Sequence, residues 1–308
     1  VIDQGQNIIA GYTNVEDGLF EDIPAIVFGD HTRIIKYVDK PFFLGADGVK
    51  LLKSKINGAN YKYLYYVLSN AKIPDTGYNR HFKWLKEISL EYKDVESQKK
   101  IVRTLDSVTK IIELCKIELS KLDNLIKARF VEMFGDPKIN SQNRPEIELI
   151  NVVTMQRGFD LPVNERKENG EIPVYGSNGI LGYHNIAKVH GGGIITGRSG
   201  TIGKVQYIKG DYWPLNTTLF STKTHNNNIV FLAYLIELFD LSRFVEGTGV
   251  PTLNRNKFHN KKIINIPKRE QKQFADFVQQ VSKSKVEVKR ALDEAQLLFD
   301  SLMQKYFG

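Results

Sequence analysis

A heptad pattern of apolar residues occurs twice in this chain and constrains its fold more than any other feature. Between residues 97 and 135, apolar side chains recur at alternating steps of four and three, which places one apolar seam along a helix. The pattern returns 173 positions later, where Gln98 is matched by Gln271 and Gly135 by Gly308. The two seams consist of Ile101, Leu105, Val108, Ile112, Cys115, Leu119, Leu122 and Ile126, and of Phe274, Val278, Val281, Lys285, Val288, Leu292, Ala295 and Phe299. A long helix with one apolar stripe needs a partner, so we predict that the two helices pair.

The duplication extends upstream of the helices. Residues 1–14 line up with residues 172–185, and Gly5, Gly11, Tyr12 and Asn14 are among the positions that are identical in the two segments. The chain is therefore a duplication of one large unit, in the order globular domain, helix, globular domain, helix. Residues 146–171 have no counterpart in the first copy. We therefore expect that the first domain is truncated at its N-terminus or that the chain is a fragment.

These patterns divide the chain into five parts. We predict a first domain at residues 1–95, a long helix at 96–135, a linker at 136–145, a second domain at 146–267 and a second long helix at 268–308. Short β-like stretches and one helical stretch alternate in each domain, which is typical of mixed domains.

Local patterns predict several elements inside the domains. Residues 193–196 and 204–208 are expected to form a hairpin, and the glycines between them supply its turn. Residues 84–90 and 262–266 are expected to close the two domains as strands. Residues 247–255 are rich in glycine and polar side chains, so they are predicted to form a loop.

The composition excludes some classes of protein. Hydrophobic residues make up 42% and charged residues 25%, which is typical of a soluble globular protein. No apolar run approaches the roughly 20 residues that span a bilayer. The single cysteine, Cys115, cannot form an intrachain disulfide, which favours an intracellular, cytoplasmic protein. The net charge of +8 is modest, so any nucleic-acid binding would depend on a shaped site and not on bulk charge.

Catalytic motifs are weak in this sequence. The glycines before Lys204 do not have phosphate-loop spacing, and a strand-like stretch follows them where such a loop requires a helix. Asp160, Glu165 and Lys167 could suggest a metal-dependent nuclease, although a solvated charged loop explains them better. The histidines lack metal-ligand spacing. We therefore predict no catalytic site and no metal site.

Polar loops of both copies hold the candidate binding residues. Arginine, asparagine and lysine can pair with base edges in the major groove of DNA or with phosphates. The same residue types are ordinary in turns, so each position is as consistent with loop structure as with binding. In the second copy the candidates are Arg198, Ser199, Lys204, Asn254, Arg255 and Lys257. In the first copy they are Arg33, Asn79 and Arg80.

Over its whole length the chain resembles the DNA-specificity (S) subunit of type I restriction-modification systems. The resemblance is carried by the Gly-Tyr-Thr-Asn and Gly-Tyr-His-Asn segments at 11–14 and 182–185, the helix starts at 96–101 and 267–273, and the helix ends at 122–130 and 297–303. The missing start of the first domain and Lys285 on the seam depart from the family pattern.

The resemblance implies a fold and a function. It implies an α+β protein in which two mixed α/β target-recognition domains are separated by two long helices that form an antiparallel coiled coil. Each domain would read one half of a split target in double-stranded DNA. The helices would dock methyltransferase (M) subunits, which restriction (R) subunits join. The chain itself would be non-catalytic, and S-adenosylmethionine, ATP and Mg²⁺ would be bound by the partner subunits.

Three other functions stay open at this point. The chain could be a coiled-coil scaffold that binds only proteins. It could be a metal-dependent nuclease that uses residues 160–167. It could also be a truncated, inactive specificity subunit.

Overall fold

The computed structural model describes residues 1–15, 17–45, 48–167, 169–246 and 251–308. The chain forms two compact units. Unit 1 comprises Val1–Ile117 and Lys289–Gly308, and unit 2 comprises Glu118–Val288. Each unit therefore contains one globular part and one half of each long helix.

The helices and strands follow one another in chain order. The first globular part and its helix contain β1 (Ala25–Gly29), β2 (Ile35–Val38), β3 (Val49–Leu52), α1 (Tyr61–Ser69), α2 (Phe82–Leu85) and α3 (Val95–Phe134). The second contains β4 (Glu146–Glu148), α4 (Leu149–Val152), β5 (Thr154–Arg157), β6 (Ile172–Gly176), β7 (Gly179–His184), β8 (Gly193–Gly197), β9 (Val205–Ile208), β10 (Trp213–Pro214), β11 (Thr218–Lys223), α5 (Ile229–Phe239), β12 (Val245–Glu246), β13 (Thr252–Leu253), β14 (Lys262–Ile264) and α6 (Lys268–Phe307). Short 3₁₀ turns occur at Val163–Glu165, Leu241–Phe244 and Arg255–Lys257.

Unit 1 is built on an antiparallel sheet in the order β2-β1-β3. All five residues of β1 are buried, because the strand lies in the middle of the sheet and carries apolar side chains on both faces. Helix α1 begins after Asn60, whose side chain accepts a hydrogen bond from the backbone N–H of Tyr63 at 3.1 Å. Tyr63 and Tyr66 of α1 share a core cluster with residues from the start of α3 and the end of α6.

Unit 2 contains a four-stranded sheet in the order β5-β11-β8-β9. The predicted hairpin of residues 193–196 and 204–208 is confirmed, since β8 and β9 pair antiparallel. Helix α5 begins after Asn228, whose side chain accepts hydrogen bonds from the N–H groups of Val230 and Phe231. Three smaller sheets are also described in this unit, in the orders β10-β6-β7, β12-β13 and β14-β4.

The duplication is visible in the strand registers. In unit 1, Gly29 at the end of β1 lies opposite Val49 of β3. In unit 2, Gly197 at the end of β8 lies opposite Thr218 of β11. The sheet β2-β1-β3 therefore corresponds to β9-β8-β11, and an asparagine cap starts the following helix in both units.

The long helices are anchored by the same residue in both copies. Gln98 and Gln271 are both almost fully buried. The Gln98 side-chain amide donates to the carbonyl of Lys93 at 2.7 Å, and that of Gln271 donates to the carbonyl of Ile266 at 2.8 Å. In each case the acceptor lies five residues before the glutamine, so one hydrogen bond fixes how the chain enters the helix.

Within unit 2 the two long helices run antiparallel. Phe130, late in the unit's segment of α3, contacts Phe274 near the start of α6 with ring centroids 5.3 Å apart. Asp123, earlier in α3, forms an ion pair with Lys285, later in α6. Lys285 is thus tolerated on the apolar seam because its amine reaches a carboxylate. The predicted α+β fold with two long helices is confirmed, and no helix among the described residues is long and apolar enough to cross a membrane.

The prediction of a closing strand at residues 84–90 is wrong. Helix α2 covers Phe82–Leu85, and no strand follows it before α3. The helix forms because the Asp30 side chain accepts a hydrogen bond from the N–H of Phe82 at 2.7 Å. The counterpart closing strand of unit 2, β14, pairs with β4, and unit 1 contains no strand equivalent to β4 among its described residues.

The predicted loop at 247–255 is only partly described. Residues 247–250 lie outside the described residues. The rest contains the short strand β13, which pairs with β12.

Candidate nucleic-acid interface

Backbone hydrogen bonds in unit 2 join the turn after β8 to β13. The N–H of Arg198 donates to the carbonyl of Thr217 at 2.8 Å, and the N–H of Leu253 donates to the carbonyl of Arg198 at 2.8 Å. Gly197 allows this turn, because a Cβ atom there would overlap the backbone of Thr201. The glycine-rich stretch is therefore a tight hairpin turn that holds Arg198 at the end of β8, an inner strand of the sheet.

A cleft of about 200 Å³ lies between this turn and the segment after β13. Its walls come from the ends of β5, β8 and β11 and from residues 252–256. The lining residues are Arg157, Arg198, Leu219, Thr252, Leu253, Asn254, Arg255 and Asn256. The structure thus brings together three of the predicted site residues, Arg198, Asn254 and Arg255, in one concave site.

The cleft is positively charged. Arg157 is partly neutralised, because its guanidinium donates to the Asp160 carboxylate at 3.4 Å. Within the described part of the chain, the side chains of Arg198 and Arg255 form no ion pair or hydrogen bond. Two half-buried guanidinium groups therefore keep their donors available for a ligand, and arginine is well suited to bidentate pairing with guanine or phosphate.

The other predicted residues of unit 2 are placed differently. Ser199 forms a backbone bridge with Thr252 beside the cleft. Lys204 is exposed at the far end of the β8–β9 turn, outside the cleft. Lys257 forms an ion pair with Glu246 at 2.8 Å. Asn254 has a structural function as well, since its side chain accepts the N–H of Asn256 at 3.1 Å and caps a 3₁₀ turn.

Of the three arginines that line this cleft, sequence reasoning missed Arg157. Arg157 ends β5 and lies opposite Leu219 of β11. The only sequence signal for it is the position of an arginine at the end of a strand. Its neighbour in the sheet could not be inferred before the pairing of β5 with β11 was known.

Arg255 also affects a half-buried histidine next to the cleft, His259. The imidazole Nε2 of His259 accepts a hydrogen bond from the backbone N–H of Met155 at 3.1 Å. Burial lowers the pKa of His259, and the positive charge of Arg255 lowers it further. The neutral imidazole is therefore favoured, as its acceptor role requires.

Unit 1 repeats the backbone arrangement with different side chains. The N–H of His81 donates to the carbonyl of Asp30 at 2.8 Å, as Leu253 does to Arg198 in unit 2. Asp30 thus occupies the position of Arg198, but its buried carboxylate caps α2 through the N–H of Phe82. The backbone hydrogen bonds are therefore repeated in the two units, whereas an acidic residue in unit 1 takes the place of the basic residue in unit 2.

The predicted residues of unit 1 surround one loop. Arg33 forms an ion pair with Asp75 at 2.6 Å. The Asp75 carboxylate also accepts the N–H of Gly77; this hydrogen bond and the charge of Arg33 lower the pKa of Asp75. The side chain of Asn79 donates to the carbonyl of Thr76 at 2.7 Å.

Arg80 is the exposed cation of this loop. Its side chain has no ion pair or hydrogen bond within the residues that the structure describes. Beside it, the Tyr78 ring stacks on His31 with centroids 4.8 Å apart, and Tyr78 is 88% exposed. The loop therefore presents an aromatic ring and a free guanidinium to solvent.

The acidic stretch after β5 is engaged in local contacts. The Asp160 carboxylate accepts from Arg157 and Asn216, and the N–H of Lys167 donates to the carbonyl of Tyr183. Glu165 lies in a short 3₁₀ turn. The described ranges contain no group of three or more His, Cys, Asp or Glu side chains that could hold a metal ion.

Comparison with known proteins places this fold. Residues 145–295 match the family model described as Type I restriction modification DNA specificity domain. The S subunit of a type I restriction-modification system from M. genitalium has a similar fold at 18% identity, with a TM-score of 0.62 over 100% of this chain and 88% of that chain.

A second solved structure has a similar fold as well. It comes from work on complex assembly and conformational transition of the type I R-M system and matches at 14% identity, with a TM-score of 0.56 over 94% of this chain and 82% of that chain. None of the curated proteins matches the sequence.

The fold is thus that of type I specificity subunits, and the matched domain contains the arginine cleft. Residues 145–295 belong to the type I restriction-modification DNA specificity family. This confirms the resemblance inferred from the sequence.

Proposed function

We propose that this chain is the subunit through which a type I restriction-modification complex recognises a bipartite DNA sequence. The observation that carries the proposal is the cleft of unit 2, where two arginines without an ion pair line a concave site inside the domain that matches the family. Arginine is also common at protein interfaces, so a sequence preference in the DNA is what separates this proposal from a scaffold that binds only proteins.

The residues of the cleft have distinct roles in this proposal. Arg198 and Arg255 donate to base edges, and guanine is the base that accepts two hydrogen bonds from one guanidinium. Asn254 and Ser199 position the cleft and add single hydrogen bonds to the DNA. Lys204 is exposed at the far end of the β8–β9 turn, outside the cleft, and contacts a phosphate. Lys257 shares its charge with Glu246, so it contributes less.

Unit 1 reads the second half of the target in this proposal. Arg80 is its main DNA contact, because its guanidinium is exposed and free. Arg33 and Asn79 hold the loop in place through Asp75 and Thr76 and contact the backbone of the DNA. Asp30, at the position of Arg198, is buried and caps α2, so the two units present different side chains to their half-sites.

The partners follow from the family. We infer that the long helices fix the gap between the half-sites and dock methyltransferase subunits, which restriction subunits join. The chemistry then belongs to those partners, which bind S-adenosylmethionine, ATP and Mg²⁺, and the chain itself is non-catalytic. Such a complex acts on cellular DNA, so we expect it in the cytoplasm.

Methylation of random-sequence DNA by the complex with its methyltransferase subunit tests the proposal. We expect modified sites that share two short motifs separated by a fixed gap. Arg198→Ala should relax the sequence preference at one position of one motif only. Lys209→Ala is the matched control, because Lys209 is an exposed cation in the same unit, outside the cleft.

Two results would contradict the proposal. If the complex methylates DNA without any shared motif, the chain does not read sequence. If Arg198→Ala and Lys209→Ala have the same effect, the cleft is not the reading site. A chain that binds the methyltransferase subunit but no DNA would favour the scaffold.

A further inference from the structure

The loop before α2 in unit 1 carries a large aromatic side chain on its surface. The ring of Tyr78 is 88% exposed, and Arg80 follows two residues later with an exposed guanidinium. The DNA contacts proposed for unit 1 use Arg80 and give the ring no role. Exposure alone does not define a binding site, so the order of the ring and the charge around it decide what it can bind.

The Tyr78 ring is held in one orientation. It stacks on the His31 ring with centroids 4.8 Å apart and an interplanar angle of 9°. His31 is fixed in turn, because its backbone N–H donates to Oε1 of Gln4 at 3.2 Å. Gly48 packs so closely against the imidazole that a Cβ atom at residue 48 would lie 2.9 Å from Cδ2 of His31. One face of the Tyr78 ring is therefore covered, and the rest of the ring is open to solvent.

The loop is anchored on both sides of Tyr78. On the N-terminal side the Asp75 carboxylate forms an ion pair with Arg33 at 2.6 Å. On the C-terminal side the buried His81 donates twice to the carbonyl of Asp30, from its backbone N–H at 2.8 Å and from Nδ1 at 3.0 Å. A loop that is ordered before binding loses little conformational entropy when it binds. Tyr78 can therefore present its ring at a fixed position.

The loop leads into a cationic surface. Lys83 and Lys86 of α2 are exposed, and their amines lie 4.1 Å from the centroid of a Trp84 ring and 4.9 Å from that of the Phe82 ring. Within the described part of the chain, neither lysine forms an ion pair, and neither does Arg80. This surface therefore favours an anionic ligand, and the phosphate backbone of DNA is such a ligand.

The geometry of duplex DNA restricts what an exposed ring can contact. The bases are stacked on one another, so a side chain in a groove meets their edges and not their faces. On the major-groove edges the apolar group is the C5-methyl of thymine, among hydrogen-bond donors and acceptors. The ring of Tyr78 is thus complementary to thymine, whereas the guanidinium groups of Arg198 and Arg255 are complementary to guanine. Among the described residues, no aromatic side chain lines the cleft of unit 2.

We propose that Tyr78 is a specificity-determining residue of unit 1 and packs its ring against the methyl group of a thymine in the half-site that this unit reads. The inference rests on the proposed function, because it assigns a base to one half of the bipartite target. The two units then read DNA by different chemistry. Unit 1 uses an apolar contact beside Arg80, and unit 2 uses the charged hydrogen bonds of its arginine cleft.

Methylation of random-sequence DNA by the complex with its methyltransferase subunit identifies the thymine. Arg198→Ala marks the half-site of unit 2, so the other half-site belongs to unit 1. There we expect a thymine, on either strand, whose preference is lost in Tyr78→Ala and kept in Tyr78→Phe, because phenylalanine retains the ring. Tyr12→Ala is the matched control and should leave the motif unchanged, because Tyr12 is 90% exposed in the same unit but lies outside the loop.

Uracil at the identified position tests the methyl group itself, because it differs from thymine only in lacking that group. Initial methylation rates are compared for two duplexes that carry thymine or uracil there, at DNA concentrations below saturation. With the parent complex we expect uracil to slow methylation about fourfold, as for the loss of one buried methyl group. With Tyr78→Ala, uracil should have no further effect, because the contact is already lost.

The outcomes separate this inference from the proposed function. A parent complex without any shared motif would overturn both. A clear motif would overturn this inference alone if Tyr78→Ala matches Tyr12→Ala, or if uracil methylates as fast as thymine. Equal losses in Tyr78→Ala and Tyr78→Phe would also overturn it, because the hydroxyl would then be the contact. So would a loss of preference at both half-sites in Tyr78→Ala, because the residue would then act on the fold.

Discussion

Replacement of the two buried glutamines by alanine should destabilise the two units to different extents. Gln271 accepts the N–H of Asn228 at 2.9 Å and donates to the Ile266 carbonyl and the Asn227 side chain, each at 2.8 Å. Gln98 makes a single side-chain hydrogen bond, to the carbonyl of Lys93. Both side chains are buried, so the loss of packing is similar and the hydrogen bonds decide the difference.

The magnitude follows from the groups that lose their partners. Gln271→Ala leaves the N–H of Asn228 and the carbonyl of Ile266 unpaired, while the Asn227 side chain keeps its hydrogen bond from Lys268. Each buried unpaired group costs about 1–3 kcal/mol, so unit 2 should lose about 2–6 kcal/mol. Unit 1 should lose about 1–3 kcal/mol in Gln98→Ala, where one carbonyl is affected.

The two tryptophans allow the units to be followed separately. Trp84 lies in unit 1 and Trp213 in unit 2, and the chain has only these two. Urea unfolding of variants with Trp84→Phe or Trp213→Phe therefore reports one unit at a time. An equal loss in both units, or a larger loss in unit 1, would refute the assignment of stability to these hydrogen bonds.

Three further predictions concern single positions of unit 2. Gly197→Ala should lower the free energy of unfolding by about 1–3 kcal/mol, because the added Cβ overlaps the backbone of Thr201 in the turn. Gly210→Ala is the control in the same urea assay, because a Cβ atom at residue 210 lies in open space. Lys285→Leu should raise stability by up to about 1 kcal/mol, because a partly exposed ion pair contributes little and the seam is apolar; a Tm below that of the parent would contradict this. The pKa of His259 is lower in the folded chain than in the unfolded chain, so the unfolded state binds a proton first as the pH falls. Unit 2 should therefore lose stability as the pH falls from about 6.5, the unfolded pKa, through the lower folded pKa. His259→Gln should flatten this dependence in urea titrations at pH 5 to 8, and an unchanged slope would exclude His259 as its source.

Much of the fold could be predicted from the sequence because the strongest signals are periodic. The heptad seams predicted both long helices, and the structure places them at Val95–Phe134 and Lys268–Phe307. The duplicated Gln98 and Gln271 predicted a shared architecture, and their matching hydrogen bonds explain why glutamine is found at both positions.

The failed strand prediction shows where local sequence is insufficient. Residues 84–90 alternate well enough for a strand, but a strand also needs a partner for its backbone groups. In unit 2 that partner is β4. In unit 1 the Asp30 carboxylate instead caps a helix at Phe82. A carboxylate some fifty residues away in sequence therefore decides the local structure, which no local pattern could show.

The binding loops show the same limit for the candidate site. The Asn-Arg pairs at 79–80 and 254–255 look equivalent in sequence, but the backbone hydrogen bonds align His81 with Leu253. Asn79 and Arg80 therefore precede the aligned position, whereas Asn254 and Arg255 follow it. The same Asn-Arg dipeptide therefore lies at different positions relative to the shared backbone hydrogen bonds in the two units. Exchange of the two dipeptides would leave the chain unchanged, because both are Asn-Arg. We therefore expect that only exchange of whole domains transfers the sequence preference of a half-site, as read from the methylation of random-sequence DNA.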